Sequence, residues 1–146
     1  MGWLNRLKEA MSNTSGGTIG TAPSDAFATP LDLIHEALTR FQASKARDGG
    51  WVSVWIRDRS GKQVGIVQYA GDGLVNLCDR DDIDVAALLR SAGRDDLASR
   101  CEERDSAMYR VADATVEEIT LVIDLILTAA FGAPDGVVIE AAIEAG

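Results

Sequence analysis

The residues of this chain with reactive side chains are few and scattered. His35 is the only histidine, and Cys78 and Cys101 are the only cysteines. Acid–base or nucleophilic catalysis needs a second positioned group within hydrogen-bond reach of the first. One histidine and two distant cysteines build no Ser-His-Asp or Cys-His set. His35 lies beside an apolar helical stripe, which suits a surface or packing residue. The cysteines fit neither a disulfide framework nor a zinc motif and read as small buried hydrophobes. Asp79-Arg80-Asp81-Asp82-Ile83-Asp84 has the acidity of a calcium loop but not its pattern. The sixth position of such a loop requires Gly and here holds Asp84; the twelfth requires Glu and holds Arg90. The run reads as a helix start, with acid at the positive end of the helix dipole. Ser60-Gly61-Lys62 lacks the upstream glycines of a phosphate loop, and Gly16-Gly17-Thr18-Ile19-Gly20 follows no strand and precedes no Lys-Ser or Lys-Thr. The remaining carboxylates fall at helix starts and on solvated faces. The expectation is a protein that is not an enzyme, with no catalytic residue, no metal and no cofactor.

What the chain offers instead is aromatic side chains in a β pattern. Trp51, Trp55 and Tyr69 lie within Gly50 to Asp79, a stretch that predicts three antiparallel strands joined by two tight turns. Trp51 to Arg57 alternates, with Val52, Val54 and Ile56 on one face and Trp51, Ser53 and Trp55 on the other. Asp58-Arg59-Ser60-Gly61 and Gly71-Asp72-Gly73 carry turn chemistry. Val64, Ile66, Val67 and Tyr69 form the second strand, and Leu74 to Cys78 the third. A two- or four-residue loop at Ser60-Gly61 puts Trp55 with Val64 and Ile66, and gathers Val52, Val54, Ile56, Val67 and Tyr69 on the opposite face. A one-residue slip would exchange the second strand's two sets. In either register both faces are substantially apolar, so the sheet needs two covers. Either the domain's own helices supply both, or another chain completes one face or an edge.

The length of 146 residues suits one domain with a core that needs no disulfides. The formal charge of −9 and pI near 4.5 leave no basic patch for nucleic acid and oppose anionic membranes. No window is apolar enough for a membrane span, and the N-terminus lacks the apolar centre of a signal peptide. These features place the protein in the cytoplasm. The excess of Arg over Lys, with abundant Ala, points to a GC-rich bacterial genome.

The elements around the meander follow from local signals. Trp3, Leu4, Leu7 and Met11 recur at helical spacing in residues 1–11, a short amphipathic stretch that would dock on the body, on a partner or weakly on a membrane, the first two being favoured because reversible membrane binding needs more apolar area or a second anchor. Residues 12–28 are rich in Ser, Thr and Gly and read as a flexible linker, so residues 1–28 form an N-terminal segment and residues 29–146 the domain. Thr29-Pro30 opens a helix with Leu31, Ile34, Leu38 and Phe41 on one face, ending near Arg47. A second helical region runs from about Asp82 to Arg104, broken near Gly93. Met108 to Ala112 is a fourth strand or an extended segment. Thr115 and Glu118 make a capping box for a helix to Phe131 that is apolar on most sides. Pro134-Asp135-Gly136 turns the chain into a short acidic C-terminal helix or extension.

Two stretches carry a family resemblance. Ile66-Val67-Gln68-Tyr69 followed by Gly71-Asp72-Gly73-Leu74 is similar to the second strand and turn of the peptide-binding chaperone-like group that joins type III secretion chaperones and YbjN-like proteins. Ala114 to Pro134 looks like that group's final helix, which ends in an aromatic-Gly pair and a nearby Pro. The chain departs from the group at Ala92-Gly93-Arg94, where a Trp often follows the Gly, and at the Asp79 to Asp84 run. The resemblance implies an α+β fold, an antiparallel meander of three to four strands in the order α-β-β-β-α-β-α. It also implies a chaperone-like protein that holds an extended segment of a protein or peptide partner, commonly as a homodimer. Trp51, Trp55, Val67 and Tyr69 are the expected partner-binding residues, because binding energy concentrates in aromatic anchors. The rival expectation is a small acidic regulatory or immunity-type protein that blocks one target.

Overall fold

The computed structural model describes residues 17–78, 80, 82–105, 107–130 and 138–145. The amphipathic stretch expected over residues 1–11 lies outside the described residues. The elements are β1 (Gly17–Ala22), α1 (Pro30–Ala43) with a 3-10 turn at Lys45–Arg47, β2 (Trp51–Arg57), β3 (Gln63–Tyr69), β4 (Leu74–Asn76), α2 (Val85–Ser91), α3 (Asp95–Ala98), β5 (Cys101–Asp105), β6 (Met108–Val111), α4 (Val116–Leu125) extended by a wider turn at Ile126–Ala130, and β7 (Val138–Glu144). The fold is α+β, as expected, but the sheet has seven strands in the order β1-β7-β2-β3-β4-β6-β5, and every neighbouring pair is antiparallel.

Local chemistry starts helices α1, α2 and α4 where the sequence indicates. Thr29 accepts from the Asp32 amide at 3.2 Å and Pro30 takes the first helical position, where its missing N–H costs nothing. Asp84 caps α2 through the Ala87 amide at 3.1 Å. Thr115 and Glu118 exchange side-chain and backbone bonds in a full capping box. In the β2–β3 turn the Asp58 carboxylate accepts from the Ser60 hydroxyl at 2.6 Å and from the amides of Lys62 and Ser60 at 3.0 and 2.9 Å, which lowers its pKa.

Three expectations are corrected. Gly17–Ala22 is an edge strand and not part of a linker; it pairs with β7 through a bulge between Thr18 and Gly20. Cys101 to Asp105 is a strand and not the end of a helix; the helical region stops at Ala98. Residues 138–144, expected as a short acidic helix or extension, form a strand next to the β1 edge, paired on both sides. Ala and Glu favour helices in isolation, but pairing and burial override propensity here. Ile139, Ala141 and Ile143 point to the core while Val138, Glu140, Ala142 and Glu144 do not.

The core lies on one side of the sheet. Val52, Val54, Ile56, Val67, Tyr69, Val75, Val111, Ile139 and Ala141 from the strands join Leu33, Ile34, Leu38, Phe41, Leu89, Leu97, Ile119, Ile123, Ile126 and Leu127 from the helices in one buried cluster. Helix α1 packs across β1, β7 and β2 and lies against α4, while α2 packs on α4 and β5. This is a two-layer arrangement, one sheet with one layer of helices. Among the described residues, no helix is long and apolar enough to cross a membrane.

Candidate functional site

The β2–β3 ladder pairs Val52 with Tyr69, Val54 with Val67 and Trp55 with Ile66. This is the register in which Trp55 and Ile66 share a face. It sorts the four expected partner-binding residues into two pairs. Val67 and Tyr69 point into the helical layer and are 0% and 3% exposed, so they cannot serve as surface anchors. Tyr69 packs edge-on against Phe41 with ring centroids 6.1 Å apart. Its hydroxyl accepts from the Gly73 amide at 3.2 Å and from Gln42 Nε2 at 3.4 Å, and burial pushes its pKa up. A central strand between two paired neighbours buries every second residue, and Val67 and Tyr69 have the inward parity.

Trp51 and Trp55 have the outward parity. They stand at either side of Ser53 on β2 and are half-buried. Strand alternation carries the same face across the sheet. It takes in Glu140, Ala142 and Glu144 on β7, Ile66 and Gln68 on β3, Leu74 and Asn76 on β4, and Met108 and Arg110 on β6. None of the apolar members of this set belongs to the packed core. All described helices lie on the other side.

The centre of this outer face is a hydrogen-bonded string. Ser53 Oγ donates to Glu144 Oε2 at 2.6 Å, Gln68 Nε2 donates to Ser53 Oγ at 3.3 Å, and Cys78 Sγ donates to Gln68 Oε1 at 3.8 Å. Ser53 is fully buried despite its outward parity. The Trp51 indole nitrogen is inaccessible too, and has no hydrogen-bond partner among the described residues. Arg57 pairs with Glu140 at 3.3 Å along the rim. The face therefore combines tryptophans with a polar seam and acid on β7, a mixture suited to gripping an amphipathic chain.

The sequence reading missed Glu140, Ala142, Glu144 and the seam. They come from β7, whose period-two burial is a property of the fold; the residue types Val138-Ile139-Glu140-Ala141-Ala142-Ile143 do not alternate and carry only the weak signal of three β-branched residues.

The two edges of the sheet differ. β5 carries Glu102, Glu103, Arg104 and Asp105, all exposed, which discourages pairing with another strand. β1, Gly17-Thr18-Ile19-Gly20-Thr21-Ala22, carries no charge.

The other candidate groups stay apart. His35 Nε2 meets Glu117 Oε1 at 3.3 Å on the outside of the α1–α4 contact. Cys101 lines a depression of about 250 Å³ with Ile83, Asp84, Glu103 and Tyr109. Burial, reinforced by Asp84, pushes its thiol up to about 11, so it is protonated at neutral pH and a poor nucleophile. Cys78 and Cys101 form no disulfide. Among the described residues no group of three or more His, Cys, Asp or Glu side chains could hold a metal ion.

In comparison with known proteins, the chain matches no family model, no curated protein and no solved structure.

Proposed function

We propose that this chain is a non-enzymatic, chaperone-like domain that holds a segment of a protein or peptide partner on the outer face of its sheet, with Trp51 and Trp55 as anchors. The observation that carries this reading is a pair of half-buried tryptophans on a central strand, on a face that the described helices leave uncovered. Tryptophan pairs flanking a polar seam give apolar area and hydrogen-bonding groups together, the combination that concentrates binding energy. The uncharged β1 edge adds a place where an extended segment can lie along the sheet.

The test is fluorescence anisotropy with labelled apolar and amphipathic peptides on the wild-type chain and on Trp55→Ala. The expected result is binding that the variant weakens at least about tenfold, the scale of one aromatic anchor, with the circular dichroism spectrum unchanged. Loss of the folded spectrum in Trp55→Ala, or equal binding by both proteins, overturns the assignment.

A second reading, an acidic regulatory protein that blocks one target, draws on the exposed row Glu102, Glu103 and Asp105. Salt separates the two. Acid-led blocking weakens steeply as ionic strength rises, whereas anchoring by tryptophan does not.

A further inference from the structure

Away from the tryptophans, one hollow gathers a buried hydrogen-bond donor and charges of both signs. We infer that this hollow, between the end of α1 and the β3–β4 turn, binds a small zwitterion, a free α-amino acid, with its carboxylate on Arg47 and the Tyr69 hydroxyl and its ammonium on Asp48 and Asp113.

The hollow measures about 440 Å³, within the range of small-molecule sites, about 300–1,000 Å³. Neither Trp51 nor Trp55 lines it, so it is separate from the face proposed above for a peptide. Gly71, Asp72 and Gly73 all have positive φ, and the tight turn they make is one wall. The two glycines present only backbone there. Asp72 and Arg110 also stand on the wall, but they pair with each other.

The buried donor is the Tyr69 hydroxyl. A phenol oxygen accepts in two directions and donates in one. The Gly73 amide at 3.2 Å and Gln42 Nε2 at 3.4 Å take the accepting directions. The O–H donates to no group among the described residues, and Tyr69 is 3% exposed. Burial pushes its pKa up, so the proton is in place at neutral pH. A buried donor without an acceptor is costly, and a carboxylate oxygen in the hollow supplies one.

The charges come from three separate pieces of chain. Arg47 donates to the Gln42 carbonyl at 3.3 Å and pairs with no carboxylate among the described residues. Asp48 and Asp113 pair with no cation there. Taken singly, exposed charges of this kind are ordinary. Here they line one concavity around a buried donor, on backbone that is already fixed. The Asp48 amide donates to the Lys45 carbonyl at 3.1 Å. Asp113 sits at φ +54°, with its carbonyl accepting from Arg100 at 3.2 Å. A guanidinium suits a carboxylate, and carboxylates suit an ammonium. An anion alone would meet two acids, and a cation alone would meet Arg47. A ligand with one charge of each sign answers both.

The test is isothermal titration calorimetry on the full chain with each standard amino acid, with its N-acetyl form, which lacks the ammonium, and with its amide, which lacks the carboxylate. At least one free amino acid is expected to bind with a Kd below about 1 mM, and both of its blocked forms at least about tenfold more weakly. Arg47→Gln, at an exposed position, should weaken binding by at least about tenfold, the scale of one charge-assisted contact. Tyr69→Phe, which keeps the ring against Phe41 and removes the O–H, should weaken it as well. If Tyr69→Phe loses the folded circular dichroism spectrum, Arg47→Gln decides alone. No binding by any free amino acid up to about 10 mM overturns the inference. So does equal binding by a blocked form, or binding that Arg47→Gln leaves unchanged. Peptide capture by Trp55 is read by a different ligand and a different variant, so the failure of one reading is not mistaken for the failure of the other.

Discussion

Ser53 and Glu144 stand ninety-one positions apart in the chain, yet Ser53 Oγ donates to Glu144 Oε2 at 2.6 Å. The bond joins the first strand of the central meander to the last strand of the chain across the β2–β7 ladder. It also fixes the polar seam between Trp51 and Trp55. Glu144→Ala is expected to cost about 1–2 kcal/mol, the range for a hydrogen bond to a charged acceptor, while Glu144→Gln keeps an acceptor and costs less. Urea denaturation of the three proteins checks this. Equal midpoints would show that the seam contributes nothing to holding β7.

The two parities of the meander predict a contrast between aromatic residues of similar size. Tyr69→Ala removes a core side chain that packs on Phe41 and satisfies the Gly73 amide, and should cost about 4 kcal/mol. Trp55→Ala removes a half-buried side chain from the outer face and should cost about 1 kcal/mol, the span of strand propensity. Thermal unfolding followed by circular dichroism reads both. Similar losses for the two would place Trp55 in the core.

Helix α4 carries an acid-sensitive contact. The Thr115 amide and the Arg100 guanidinium hold the Glu118 carboxyl below its ordinary value of 4.5. A lowered folded-state pKa contributes stability that is present above the ordinary value and lost as pH falls through the folded one. Wild-type stability should therefore decline below about pH 4.5, and Glu118→Gln should flatten that decline. Thr115→Ala should cost about 1 kcal/mol at neutral pH through loss of the cap. Denaturant melts from pH 3 to pH 7 test both; an identical acid limb in Glu118→Gln would remove Glu118 from the account.

Gly73 sits at φ +75°, and a Cβ there would lie 2.1 Å from the Val111 carbonyl oxygen. The same residues are bonded, with the Val111 amide donating to the Gly73 carbonyl at 2.8 Å. Gly73→Ala combines an unfavourable left-handed backbone with a clash against main chain that cannot swing away, and should cost at least about 3 kcal/mol. Gly61, also at positive φ but with nothing near its Cβ position, should cost about 1 kcal/mol when changed to Ala. Comparing the two melts checks whether the β4–β6 approach, and not the turn conformation alone, requires the glycine.

The sequence by itself determined the local elements. Thr29-Pro30 and the Thr115–Glu118 box start helices because capping is a contact between residues three apart. Asp58 to Gly61 turns because Asp bonds its neighbours' amides. The alternation in Trp51 to Arg57 and in the second strand fixed which side chains share a face, since period two is a property of the strand itself. The order of the sheet was decided elsewhere. β7 lies between β1 and β2 through ladders that span more than eighty residues, and a pairing of that range leaves no mark on local propensity. Its Ala and Glu read as helix, and only the neighbours on both sides make it a strand. The same holds for β1, where glycines read as linker. For the same reason the sequence showed two apolar faces without showing which one the helices take. Tertiary packing assigned Val67 and Tyr69 to the core and Trp51 and Trp55 to the outer face, because one layer of helices can cover only one side of a sheet.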